Sequence, residues 1–307
     1  MGLTSKRFVV LGANGYLGSH LASSMIAAGH QVSAYDLSGP NPNLSFPVRS
    51  LDVSNPALWQ AVDTDVDAIF YFSGMSGTRR SFDQYANYMA ANELGLLHLL
   101  DLLRRRGNKP RVVFPSSRLV YRGRTTPLDE SSPQESKTVY AANKIAGEAF
   151  LQAYWNAYGI PFVVYRICVP YGNLLGGPFS YGTIGSFVEV ARNRKIITLY
   201  GDGSLRRTFT HVEDICGQIA ATTLLPESEG AVFNVAGEAL SLFQVAESVA
   251  TRMGATIAFS TWPESEWTIE SGDTVFDAAK ILALLPHPPR HCFREWIAQA
   301  VLPGAPM

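Results

Sequence analysis

The first half of the chain alternates short, continuously apolar runs with longer stretches of helical periodicity. Arg7 to Leu11 (RFVVL), Gln31 to Tyr35, Ala68 to Phe72 (AIFYF), Arg111 to Phe114 (RVVF) and Phe162 to Tyr165 read as strands. Gly18 to Ala28, Tyr85 to Arg106 and roughly Val139 to Tyr158 read as helices. Strands that stay apolar instead of alternating with polar residues are those buried on both faces. The pattern therefore predicts an α/β fold with a parallel sheet covered by helices on each side.

The character changes after Arg166. Residues 170–186 (PYGNLLGGPFSYGTIGS) are rich in Gly, Pro, Ser and Tyr, as suits a functional loop. Residues 196–236 read as strand, turn, helix and strand, with Phe233 to Ala236 expected to rejoin the first sheet. The last seventy residues are less periodic and hold the proline-rich piece Pro286 to Pro289. A large nucleotide domain (1–168 and 207–236) and a smaller, discontinuous substrate domain (169–206 and 237–307) follow from this.

Composition narrows the class without naming it. The chain has 307 residues, 47% of them hydrophobic and 17% charged, the balance of a water-soluble globular protein with a sizeable core. A net charge of −1 gives no general attraction to nucleic acid, so none is expected as a partner. No apolar run approaches the roughly 20 residues of a membrane helix, and the start carries no signal-peptide layout. With three widely spaced cysteines, Cys168, Cys216 and Cys292, a reduced cytoplasmic protein is expected. His287, His291 and Cys292 suggest a metal cluster, but that spacing needs a helix and the neighbouring prolines break one; no metal is expected.

Candidate chemistry begins at Gly12-Ala-Asn-Gly15-Tyr-Leu-Gly18, between the first strand and the first helix. Glycines there tighten the turn and let backbone approach a pyrophosphate at the positive end of the helix. Asp36, ending the second strand about twenty residues on, is placed to accept hydrogen bonds from the ribose hydroxyls. Its charge repels a 2′-phosphate, which favours NAD over NADP. Tyr140 and Lys144 stand four apart on one helix face, where an ammonium can stabilise a phenolate. Ser117, after the strand ending at Phe114, lies at the carboxyl edge where open α/β sheets bind ligands.

Together these segments resemble the extended short-chain dehydrogenase/reductases, specifically the NAD-dependent nucleotide-sugar epimerase/dehydratase family and its UDP-galactose 4-epimerase-like members. The matching pieces are GANGYLG at 12–18, Asp52-Val53, Ser73-Gly74, Asn92, PSSRLVY at 115–121, YAANK at 140–144, Arg166 through YG at 171–172, and GDGSLRRTFTHVED at 201–214. The resemblance spans roughly Phe8 to Ala236 and implies a Rossmann-type doubly wound parallel sheet. It implies that Gly12, Gly15, Tyr16, Leu17 and Gly18 hold the pyrophosphate of NAD, Asp36 the ribose, and Asp52 with Val53 the adenine. Ser73, Gly74, Asn92, Tyr140 and Lys144 complete the cofactor site. Tyr140 would be the acid/base, Ser117 its partner on the reacting hydroxyl, and Arg207 (with Arg206 as rival) the partner of a substrate diphosphate.

The reaction is narrowed by departures from the family. Its dehydratases carry Asp-Glu directly after the catalytic Ser or Thr, its UDP-glucuronate decarboxylases a Glu one position further on, and its GDP-fucose synthase-like members a Cys there. Here those positions hold Arg118 and Leu119. What remains needs only Ser117, Tyr140, Lys144 and NAD: C4 epimerisation of a nucleotide-diphosphate sugar, or a 4-ketoreductase/dehydrogenase step. A catalytically silent NAD sensor is the alternative of another class. Val169 stands where the family commonly has an amide that contacts the sugar diphosphate. Arg118 is a candidate clamp for an acidic sugar, with Arg79 and Arg80 as candidate helpers. Helices 85–106 and 140–158 are the expected faces of a homodimer.

Overall fold

The computed structural model describes residues 5–175 and 182–300, which divide into two units. The first comprises residues up to Val120, Thr138–Arg166 and Ile219–Phe233. It is built on a seven-stranded sheet of β1 (Arg7–Leu11), β2 (Gln31–Asp36), β3 (Val48–Ser50), β4 (Ala68–Tyr71), β5 (Arg111–Ser117), β6 (Phe162–Ile167) and β10 (Ala231–Asn234). Its order is β10-β6-β5-β4-β1-β2-β3, and β1 pairs in parallel with both β2 and β4. The chain thus starts in the middle, winds outward to β3 and returns to β4. The carboxyl ends of β1 and β4 flank the point where the winding reverses, the usual ligand crevice of such sheets.

Every residue of β4, β5 and β6 is buried, which explains their unbroken apolar runs. Side chains such as Val9, Ile69, Val112 and Val164 pack on leucines 96, 99, 100 and 103 of helix α4 (Gly95–Arg106) and on Leu151 of α5 (Val139–Tyr158). Helix α5 begins at Thr138, whose hydroxyl accepts the Ala141 amide, and ends at Gly159 in the left-handed region. The edge strand β10 follows a loop tied down by Arg111 of β5. That guanidinium donates to the Thr223 and Leu225 carbonyls and to Glu229.

Two expectations are corrected here. The stretch from Tyr85 to Arg106 is not one α-helix: α3 (Tyr85–Met89) passes through a π-helical turn at Ala90–Leu94 before α4 begins. The wider turn brings Asn92 inward, where its amide accepts the Met75 N–H and donates to the Met75 carbonyl. In addition, β5 runs on to Ser117 instead of ending at Phe114, so Ser117 is a strand residue.

The second unit comprises Tyr121–Lys137, Ile167–Gln218 and the residues from Asn234 onward. It contains a three-stranded sheet of β7 (Val169–Tyr171), β9 (Arg206–His211) and β11 (Glu238–Ser241), with β9 central, and a pair formed by β8 (Ile196–Tyr200) and β12 (Thr256–Ser260). Helices α6 (Gly182–Arg194) and α7 (Leu242–Met253) pack on one core with Val169, Phe209, Leu240 and Phe293. The division differs from the expected one at 121–137, 167–168, 207–218 and 234–236, all of which belong to the second unit. The first segment is fastened by Asn234, which accepts from the Tyr121 hydroxyl and donates to the Leu128 and Asp277 carbonyls. Of the expected 170–186 loop, Pro170 and Tyr171 belong to β7 and α6 starts at Gly182, while 176–181 lie outside the described residues.

Candidate active site

The glycine turn leaves β1 at Leu11 and enters helix α1 (Tyr16–Ala27), two residues earlier than its periodicity suggests. Gly12 has φ +83°, and a Cβ on it would lie 2.6 Å from the Phe72 and Ser73 backbone. A Cβ on Gly18 would lie 2.1 Å from the Gly12 carbonyl oxygen. Both positions are glycine because backbone passes backbone too closely for a side chain. At Gly15 no side chain caps the helix, and its first turn has no acidic residue. The positive end of a twelve-residue helix is therefore left for an external anion.

Asp36 closes the same corner. One carboxylate oxygen accepts the Asn14 amide at 3.0 Å, and the other accepts the Ser38 amide and hydroxyl. The acidic group is thereby fixed beside the turn at the end of β2. Gly12, Gly15, Gly18, Asp36, Ser73 and Gly74 are thus brought around the carboxyl ends of β1, β2 and β4, and they fit a dinucleotide. The remaining cofactor candidates are more structural in their contacts. Asp52 accepts the Ser54 amide and hydroxyl, the Val53 carbonyl accepts from Trp59 and His98, and Asn92 is engaged with Met75.

On α5, Tyr140 is half-buried and meets Tyr88 edge-on at 6.5 Å between ring centroids. Lys144, one turn later, is buried; its Nζ donates to the Pro115 carbonyl at 2.7 Å and lies 5.7 Å from the Tyr140 ring centroid. Burial pushes the Lys144 ammonium down to about 8, opposed by the negative charge of Glu148. Ser117, at the end of β5, accepts the Leu119 amide at 3.2 Å, which leaves its own proton to donate. Arg118, in the turn after Ser117, is half-buried, whereas Arg79 and Arg80 are exposed at the start of α2 (Arg80–Asp83).

A brace behind this set was not foreseen. Arg166 pairs with Glu148 at 2.6 Å, and Glu148 also accepts the Ser116 hydroxyl at 2.5 Å. Glu148 lies one turn after Lys144, so the sequence signal was a third polar residue at the same i, i+4 spacing. The brace locks the strand end that carries Pro115 and Ser117 to the helix that carries Tyr140 and Lys144.

The substrate candidates of the second unit are Val169 and Arg207. Val169 lies in the hydrophobic core, and Arg207 is buried on β9 with its guanidinium 2.9 Å from Glu270. Arg206, its neighbour, is exposed. His211 stacks on His291 at 3.9 Å between centroids. Among the described residues, the potential metal ligands within 4.8 Å of one another are His211, Glu213 and His291, not the run from His287 to Cys292. His211 is packed by Tyr171 and Trp296 and accepts the Glu213 amide, while His291 meets Asp214 at 3.1 Å.

A doubly wound sheet, an uncapped glycine turn and a Tyr-Lys helix define an NAD-dependent enzyme of the extended short-chain dehydrogenase/reductase type. Residues 8–236 match the NAD dependent epimerase/dehydratase family, and the chain belongs to it. A UDP-glucuronate 4-epimerase from Thermodesulfobacterium geofontis is 27% identical over 70% of this chain and 71% of the relative. An uncharacterized UDP-glucose epimerase from Bacillus subtilis is 26% identical over 96% of each. The UDP-glucose 4-epimerase of Thermus thermophilus, solved with NAD, shares the fold with a TM-score of 0.79 at 24% identity, covering 95% of this chain and 96% of that one.

Proposed function

We propose that this protein is a nucleotide-sugar epimerase that inverts C4 through transient oxidation to the 4-keto sugar. The observation that carries the reading is an intact Ser117, Tyr140 and Lys144 beside Arg118 and Leu119, where elimination needs carboxyls. Such a set moves one proton at one hydroxyl and supplies no acid or base for dehydration. Bound NAD supplies the acceptor and donor of hydride at C4. Tyr140 takes the hydroxyl proton and later returns it, Lys144 stabilises the phenolate, and Ser117 orients the reacting oxygen. Asp36 supports NAD as a carrier regenerated within each cycle, which favours epimerisation over net reduction by NADPH. The relatives named UDP-glucuronate 4-epimerase and UDP-glucose epimerase support the position and the uridine diphosphate handle.

Proton NMR of reactions with UDP-, dTDP-, GDP- and CDP-sugars reports the epimer and the base together. Tyr140→Phe is expected to lower turnover about 10²–10⁴-fold while NAD binding, followed by calorimetry, stays unchanged. Near wild-type turnover in that variant ends the mechanism. The protein is further proposed to be a homodimer through the segments 85–106 and 140–158, where Tyr85, Met89, Leu94 and Tyr158 are exposed. No helix among the described residues is long and apolar enough to cross a membrane.

A further inference from the structure

We propose that Glu270 is a specificity-determining residue that competes, from within the protein, with the substrate diphosphate for Arg207. This rests on the reading that Arg207 meets that diphosphate. The two side chains are 9% and 11% exposed and lie 2.9 Å apart, so little water screens them. Arg207 Nε is buried and has no hydrogen-bond partner among the described residues, so the guanidinium still has an unused donor despite its burial.

Glu270 is held in place independently of Arg207. Its second carboxylate oxygen accepts the Gly272 amide at 3.1 Å, and its carbonyl accepts from Lys137 Nζ at 2.8 Å. Just beyond, the chain runs alongside β9, where the Thr274 amide donates to the Arg206 carbonyl and Thr274 bridges Arg207. A diphosphate that reaches the remaining donors of Arg207 meets the fixed Glu270 carboxylate on the same guanidinium, and the like charges repel. Val169, paired with Phe209 two positions along β9, brings no donor to offset that repulsion. Diphosphate affinity is therefore low, and selection shifts to the base and the sugar.

The test titrates NAD-loaded protein with inorganic pyrophosphate and with UDP in a calorimeter. Glu270→Gln is expected to bind both about tenfold more tightly, and Arg207→Ala/Glu270→Gln to show no gain. Affinities within twofold of wild type, or a gain that persists in the double variant, overturn the proposal. Should Glu270→Gln not fold, Glu270→Asp withdraws the charge by one carbon and is expected to gain about threefold; no gain there overturns it equally. Sugar conversion separates this proposal from the reading beneath it. A pyrophosphate gain without conversion of any nucleotide sugar removes the epimerase reading and leaves Glu270 as the competitor. Conversion without the gain does the reverse.

Discussion

Replacing Glu148 by Gln keeps the side chain's volume and removes the charge facing Arg166 at 2.6 Å. The pair is 5% and 10% exposed, and taking one partner from a buried pair costs about 3–5 kcal/mol. Gln retains an acceptor for Ser116 or Arg166, which places the expected loss near the lower figure. At about 2–4 °C per kcal/mol for a chain of this size, Tm falls by roughly 6–12 °C. A second effect acts on Lys144. Burial has lowered its pKa from 10.5 to about 8 against the opposing field of Glu148, a net cost of about 3 kcal/mol for the charged form. The unfolded chain binds the extra proton between those values, so stability rises with pH from about 8 toward 10.5 and the cost is complete below about 8. Without Glu148 the Lys144 pKa falls further, and the basic limb of the kcat profile moves to lower pH. Urea unfolding at pH 7 and a pH–rate profile measure the two effects separately. A stability loss under about 1 kcal/mol would refute the buried-pair reasoning, and an unmoved basic limb would refute the coupling to Lys144.

Other substitutions probe separate links. Asp36→Asn removes the charge that repels a 2′-phosphate, and the preference for NADH over NADPH, read by fluorescence titration, is expected to narrow about tenfold. Gly18→Ala sets a methyl 2.1 Å from the Gly12 carbonyl oxygen; a loss of about 3 kcal/mol or more, with NAD binding abolished, is expected from denaturation and calorimetry. A Tyr85→Arg/Met89→Glu pair places charge on the exposed face of α3, and sedimentation equilibrium is expected to shift from dimer to monomer. Unchanged mass there removes the proposed dimer face.

The first unit was largely legible because its strands are buried on both faces, so hydrophobicity alone marks them. β1 runs over the predicted residues, and β2, β4 and α5 lie within one residue of expectation. The π-helical turn was not legible, because one extra residue in twenty-two hardly disturbs an apolar period. The second unit was harder for a different reason: its short strands pair across long separations, as β8 does with β12, and no local period reports such partners. Arg206 and Arg207 illustrate the limit. Successive strand residues face opposite sides, but two identical neighbours carry no phase, and only pairing with β11 decides which one is buried. The role expected of Arg207 could not include Glu270, sixty-three residues away.

The π-helical turn also bears on how this chain can vary in length. Each residue of an α-helix advances the direction of its side chain by about 100°. Deleting one residue from 90–94 would restore a regular helix and swing α3 by that angle relative to α4. The leucines of α4 would remain seated in the core, while Tyr88, Asn92 and Glu93 would lose their contacts with Ser76, Met75 and Asn143. Most single substitutions there are expected to be absorbed, but a one-codon deletion would not be, so this segment fixes the chain's count of residues more strictly than their identity.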